Sequence, residues 1–345
     1  MDSTIALILL QDGIVNGAIY ALLGMALVLV FAVTRVIFIP QGEFVAFGAL
    51  TLAMLVDGQV PGTAYLLPLL GALAAVAHVW RAWRLRQYRH LPLVLLGCVA
   101  YPLALLWGLP FVVSPERSLW LNMVITLLLV VPMGPMLYRL VYEPLAEATV
   151  LVLLIVSVAL HFALMGLALA FFGAEGWRVP AFVDGQVDLG LTTWSAQSLF
   201  VVGVCGALIL ALWVFFGKTL YGRALRATAV NRRGARLVGI STSMSGNLTF
   251  TLAVAIGAVS GMLIAPLTTI YYDTGFLIGL KGFVGAIIGG LFSYPIAAAG
   301  ALLVGILEAF ASFWASAYKE VIVFTLIIPV LLWRSFGSSA HDDEE

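Results

Sequence analysis

The chain has 345 residues, of which 63% are hydrophobic and 10% charged, and its 17 basic and 17 acidic side chains give a formal net charge of zero. Soluble domains carry roughly 25% charged residues, and this much apolar surface cannot be hidden behind a wetted exterior. A soluble enzyme, a nucleic-acid-binding domain and a disordered linker are therefore excluded. The apolar runs are far longer than the about 9–11 residues of a barrel strand, which leaves an all-α, polytopic helical membrane protein.

Apolar stretches near twenty residues, broken by charges or by Gly and Pro, predict spans over 13–33, 42–57, 63–80, 91–113, 119–138, 149–172, 195–216, 246–270, 278–293, 294–312 and 318–333. That is ten or eleven helices. The stretches 42–57, 278–293 and 294–312 are short or interrupted and are candidates for broken or re-entrant helices, which lipid tolerates only where protein or a watery cavity covers the backbone. The first residues, Met1-Asp2-Ser3-Thr4, carry no basic n-region and no clear cleavage site, so a cleaved signal peptide is not expected.

Basic residues orient the spans. With the N-terminus outside and the C-terminus inside, 13 of the 17 lie on the inner side: Arg35, Arg81, Arg84, Arg86, Arg89, Arg139, Lys218, Arg223, Arg226, Arg232, Arg233, Arg236 and Arg334. The opposite topology reverses that excess and violates the positive-inside rule. One transmembrane domain is expected over 1–337, with its longest external loop at 173–194 and its longest internal loop at 217–245. The basic turn 81–90 reads as a topology determinant in contact with lipid headgroups. The acidic residues 338–345 read as a disordered tail.

No catalytic motif is present. His78, His90, His161 and His341 are scattered, and a satisfied core histidine is the expected state of His161. Gly217-Lys218-Thr219 resembles the end of a phosphate-binding loop, but the glycine that motif requires at 212 is Leu212. No nucleotide site, metal site or cofactor is expected, and the chain is read as a non-enzyme. Cys98 and Cys205 lie in apolar runs and read as packing residues. Ion-coupled carriers place ionisable groups deep in their spans. Here only Glu43, Lys281 and Glu308 fall there, read as snorkelling or locally paired near span ends. A pore energised from elsewhere fits better than a secondary transporter, which also needs inverted repeats.

Glycine pairs at GxxxG spacing (Gly13/Gly17, Gly257/Gly261, Gly275/Gly279, Gly285/Gly289) predict close helix packing. Gly289-Gly290, followed by Ser293 and Pro295, predicts a helix break. The internal run from Tyr221 to Ile240 mixes helix formers, small residues and arginines, and predicts a short cytoplasmic helix suited to docking on a partner.

These residues resemble the membrane permease subunits of branched-chain amino acid ABC importers, of the LivH/LivM type and closer to LivH. Asp12-Gly13 through Asn16-Gly17 to Tyr20-Ala21-Leu22 is similar to the family's NGxxxGxxYAL opening. Arg35-Val36-Ile37 and Gly42-Glu43-Phe44 are similar to RVINFAHGEF, with Phe38 and Gln41 in place of Asn and His. Gly222 to Gly239 is similar to GRAxRAxAxxxxxAxLxGI. Gly279-Leu280-Lys281-Gly282-Phe283, Gly289-Gly290 and Gly300 are similar to GLKAFxxAxxGGLGSxxGAxxG, with Phe292 and Ile296 replacing two glycines.

The resemblance implies an importer permease in the bacterial inner membrane that forms the path for branched-chain or related amino acids. Its implied partners are a second permease subunit (a LivM-like heterodimer), two ABC ATPase subunits, a periplasmic solute-binding protein, the solute and membrane lipid, with no nucleic acid. Urea or a short-chain amide is the alternative solute. The implied ATPase-coupling residues are Gly222, Arg223, Arg226, Ala227, Asn231, Ala235, Leu237 and Gly239. Asn16, Gly17, Arg35, Gly42, Glu43, Gly289 and Gly290 are the implied hinge or packing residues, with Arg35 and Glu43 at the inner end of the first two spans. Substrate-contacting residues are left unassigned.

Overall fold

The computed structural model describes residues 3–86, 91–114, 116–188, 190 and 192–338. Part of the basic turn (87–90), with His90, lies outside the described residues. So do Met1, Asp2 and positions 339–345, which hold nearly all of the acidic tail. The expected all-α polytopic fold is found. Among the described residues seven helices are long and apolar enough to cross a membrane: 4–34, 63–84, 119–142, 150–172, 196–218, 242–264 and 294–314. Shorter apolar helices occupy 41–56, 96–112 and 274–288.

In chain order the helices are α1 (Ser3–Thr34), α2 (Gln41–Val56), α3 (Thr63–Leu85), α4 (Leu91–Leu95) and, beyond a π-helical turn, α5 (Tyr101–Val112). Then come α6 (Leu119–Val130), α7 (Met133–Leu137) with a π-helical turn at Tyr138–Tyr142, and α8 (Val150–Phe172). α9 (Ala196–Lys218), α10 (Leu220–Val230), α11 (Arg232–Leu237) and α12 (Thr242–Ile264) follow. The chain continues through α13 (Thr274–Ile288), α14 (Tyr294–Trp314), α15 (Lys319–Thr325) and α16 (Ile327–Ser338).

Three local results differ from expectation. The first helix begins at Ser3, ten residues earlier than the predicted span at 13. The predicted span 318–333 is two helices, broken at Leu326. The segment between α8 and α9 carries a small antiparallel hairpin, β1 (Gln186–Asp188) with β2 (Thr193–Ser195), in register Gln186 with Ser195.

The chain falls into two compact units: residues up to Val28 with Val183–Trp213 and from Ile278 onward, and Leu29–Phe182 with Val214–Leu277. In the first, α14 runs antiparallel to α1 along small residues. A Cβ on Gly13 would sit 2.6 Å from the Ile306 Cα, and one on Gly17 would sit 2.9 Å from the Leu302 Cα. The later half of α13 folds back on α14 through Gly285 against Ala301 and Gly289 against Ala297. The predicted break lies between them, with Gly290 and Leu291 both at left-handed φ (65° and 62°).

The second unit is built around α2. Fourteen of its 16 residues are buried, so it is enclosed all round and not amphipathic. It runs parallel to α12, and the backbones touch: a Cβ on Gly48 would lie 2.4 Å from the Ala258 oxygen, and one on Gly261 would lie 1.9 Å from the Val45 oxygen. Below α2, Phe38, Phe44, Phe250 and Tyr142 form one aromatic cluster with ring centroids 4.8–6.0 Å apart. Asn122 of α6 donates to the carbonyl of Leu55 near the far end of α2, and Thr51 shares a hydrogen bond with Thr63.

This packing predicts opposite outcomes for two glycines. Gly261→Ala forces a methyl group into the α2 backbone and should cost about 1–3 kcal/mol. Gly166→Ala on α8, where a Cβ meets nothing within 4 Å, should be neutral or stabilise by up to about 1 kcal/mol. Thermal unfolding of the purified protein in detergent separates the two.

Candidate functional site

Three polar assemblies stand out in this apolar chain, two buried between helices and one at helix ends.

The first lies in the second unit. Glu43 occupies the third position of α2 and is wholly buried. Its carboxyl group sits at the positive end of the helix dipole, and its Oε1 shares a hydrogen bond with Nδ1 of His161 at 2.9 Å. The His161 ring stacks on Phe276 with centroids 4.3 Å apart. Gln41, at the start of the same helix, donates from Nε2 to the Ala253 carbonyl at 2.9 Å. His161 and Ala253 are the middle residues of two 23-residue spans. The start of α2 therefore stands halfway up the helices around it.

That corrects the expectation that Glu43 marks an inner span end beside Arg35. Arg35, at a left-handed φ of 62°, is exposed and lies over the Phe31 ring. The chain then climbs through Val36–Ile39 to the half-height start of α2. Gly42 is needed there because a Cβ would lie 2.2 Å from the Gly275 carbonyl. The sequence pattern does not assign His161 a functional role, although it holds a signal. Ser157 and His161 are one turn apart in an otherwise apolar helix, and Ser157 pairs with the Tyr142 hydroxyl at 2.9 Å. Polar groups on one face of a span point to the bundle interior.

The second assembly lies in the first unit. Lys281 of α13 contacts Glu308 of α14 at 2.5 Å and Glu320 of α15 at 3.1 Å. The Tyr20 hydroxyl of α1 donates to the other oxygen of Glu308 at 2.7 Å. Lys281 and Glu308 are buried, so they are locally paired and do not snorkel. Tyr20 and Glu320 were not foreseen as members. Asn16 is half-buried on α1 and Gly17 serves the α14 contact.

The third assembly is the segment 217–245. One docking helix was expected across 220–240; two form, divided at Asn231. Thr219 caps α10 through the Gly222 amide, and Asn231 caps α11 through the Gly234 amide at 2.8 Å. Gly239, at φ 86°, ends the second helix. Gly222, Leu225 and Thr228 form the buried face of α10, and a Cβ on Gly222 would meet the Phe215 carbonyl at 2.2 Å.

Ala235 is also buried. Gly222 and Ala235 thus seat the segment against its own chain and do not face outward. Arg223, Arg226, Ala227 and Leu237 are exposed. Arg232 donates to the Ala146 carbonyl at 3.0 Å, and Arg236 meets Glu147 at 3.4 Å and Thr242 at 3.1 Å. Ser243 donates to Glu143, which also pairs with Arg81 of α3 at 3.2 Å. The two helices are therefore pinned to the turn that leads into α8.

The buried pair yields a test. Removing one member of such a pair strands the other and costs about 3–5 kcal/mol. His161→Leu should fall in that range, and adding Glu43→Gln to it should recover part of the loss. Melting curves of the single and double variants check this; simple additivity of two losses would contradict the pairing.

Comparison with known proteins agrees with this architecture. The family described as branched-chain amino acid transport system, permease component, matches residues 9–331. The chain is 32% identical over 217 residues to the high-affinity branched-chain amino acid transport system permease protein LivH of Escherichia coli K12, covering 60% of this chain and 70% of that one. It is 30% identical over 219 residues to the permease protein BraD of Pseudomonas aeruginosa, covering 61% and 71%. A more distant relative is the autoinducer 2 import system permease protein LsrC of Escherichia coli, 27% identical over 165 residues and covering 46% of each chain. No solved structure gives a significant match. With a family model spanning nearly the whole chain and helices of membrane-crossing length beneath it, this protein belongs to the permease components of branched-chain amino acid transport systems.

Proposed function

We propose that this chain is the membrane-spanning subunit of a bacterial inner-membrane ABC importer, carrying branched-chain amino acids delivered by a periplasmic binding protein. A second, LivM-like permease completes the path, and two separate ATPase subunits supply the energy. The observation that carries this reading is the paired helix α10–α11. It is anchored by its buried face and by Arg232 and Arg236, yet it holds large apolar side chains out from the chain. Val230 is 86% exposed and Leu237 is 89% exposed. Exposed apolar side chains rimmed by Arg223, Arg226 and Arg233 have the make-up of an interface: apolar anchors within a charged border. Six basic residues keep the segment inside, where ATPases are found. Relatives named for branched-chain amino acid transport support the choice of solute.

Because α10 and α11 are tied to the turn at 143–147, a push on the docking face would be delivered to the base of α8. Rigid anchoring is what a coupling element needs; a loose loop would absorb the displacement.

Two outcomes test the proposal. Leu237→Asp should leave stability within about 0.5 kcal/mol, as expected for an exposed position. It should also abolish co-purification of the ATPase and leucine uptake. Ala235→Trp does not discriminate, because that site is filled from within the chain. In proteoliposomes containing both permeases and the binding protein, uphill uptake of labelled leucine should require the ATPases and ATP. Uptake driven by a proton or sodium gradient alone would refute the proposal.

A further inference from the structure

Arg139 differs from Arg81 and Arg236 in what it faces. Arg81 and Arg236 face carboxylates. Among the described residues Arg139 makes no salt bridge, and its Nε donates to the neutral side chain of Asn247 at 2.8 Å. It lines two cavities at once. The larger, about 340 Å³, is walled by Pro135, Phe215, Tyr221, Leu248 and Asn247 among others. The smaller, about 180 Å³, is walled by Val94, Cys98, Pro132 and Met136. Both walls are mainly apolar, and both cavities are open. Glu143, the nearest acid in sequence, is engaged by Arg81 and Ser243.

The heights of these residues agree. Arg139 lies in the last turn of its helix, Phe215 in the last turn of α9, Tyr221 in the first turn of α10 and Asn247 in the second turn of α12. These are the ends that the distribution of basic residues assigns to the inner surface. A tyrosine and an arginine at that level are typical of the headgroup region. Guanidinium groups match phosphate oxygens in a two-pronged geometry, and basic pockets between helices on the cytoplasmic side hold anionic lipid headgroups.

We propose that Arg139 and its two flanking cavities form a binding site for one anionic phospholipid of the inner leaflet. The phosphate sits on the guanidinium beside Asn247, and the acyl portion lies along the apolar walls. The lipid then packs against Tyr221. The neighbouring Gly222 is pressed on the Phe215 carbonyl, so an occupied cavity buttresses α10 from behind. The assignment of these helix ends to the inner face rests on the same orientation as the transport reading, whereas lipid retention can be measured without any ATPase.

The test uses the purified full chain and phosphatidylglycerol as the probe, with phosphatidylcholine as the uncharged competitor. Native mass spectrometry counts the lipids retained. The wild-type chain should retain one phosphatidylglycerol in preference to phosphatidylcholine. Arg139→Gln should weaken that retention about tenfold, the scale of one lost charge-assisted contact. Leu248→Trp, which fills the larger cavity and leaves the arginine in place, should weaken it as well. Arg84→Gln, an exposed arginine over Trp80, should have no effect. Equal loss in Arg84→Gln would reveal diffuse charge attraction and overturn the site, as would unchanged retention in both Arg139→Gln and Leu248→Trp. A photo-crosslinker at Met244 that captures a partner polypeptide instead of lipid would also overturn it. A Leu237→Asp chain that keeps both ATPase co-purification and lipid retention would count against the coupling segment alone.

Discussion

A helix of 16 residues is about 24 Å long, and a bilayer's hydrocarbon core is about 30 Å thick. α2 cannot cross by itself, and the stretch that leads into it, Arg35 to Pro40, is not helical. In lipid, each unpaired amide or carbonyl would cost several kcal/mol. Such a segment survives only inside a wall of protein. The second unit is that wall: α12 lies along one side at backbone contact, α6 reaches the far end through Asn122, and α8 supplies His161 at the near end. Gly48, Gly257 and Gly261 are what let α12 approach so closely. The aromatic cluster around Phe38 fills the space below the start of the helix.

The buried charges follow from the same enclosure. A carboxylate at the start of a helix gains from the dipole but still needs a donor when water is excluded. Glu43 finds His161. Lys281 is shared by two carboxylates, and Tyr20 satisfies a further oxygen of Glu308. Each group joins helices that must stay together, α2 with α8 in one case and α13 with α14 and α15 in the other. Pairs of this kind add little net stability but make the loss of one partner expensive, which favours one packing arrangement over its competitors.

At the helix ends the logic changes, because water is available and apolar groups there are the anomaly. Val230 and Leu237 stay exposed although α10 and α11 are well anchored. Anchoring and exposure together distinguish a docking element from a loop that merely carries charge. Contacts run without a gap from Arg232 and Arg236 to the turn at Ala146 and Glu147, into α8, and through His161 to α2. The segment with the exposed apolar side chains and the enclosed helix α2 thus share one contiguous framework.

Much of this was legible in the sequence. Membrane class and the limits of most long apolar helices follow from hydrophobic length, which is a local property that each stretch reports independently. The GxxxG pairs announced close helix approach, and Gly289-Gly290 announced a break, because glycine's missing side chain has the same consequence wherever it occurs. What local pattern could not determine was partnership across hundreds of residues. That Glu43 meets His161 halfway up the bundle, that Ala235 faces inward while Leu237 faces outward, and that Arg139 is left with a neutral partner between two cavities all depend on which helices pack side by side and at what height. Those choices were made by backbone contacts between distant glycines and by the need to enclose a helix too short to stand alone in lipid.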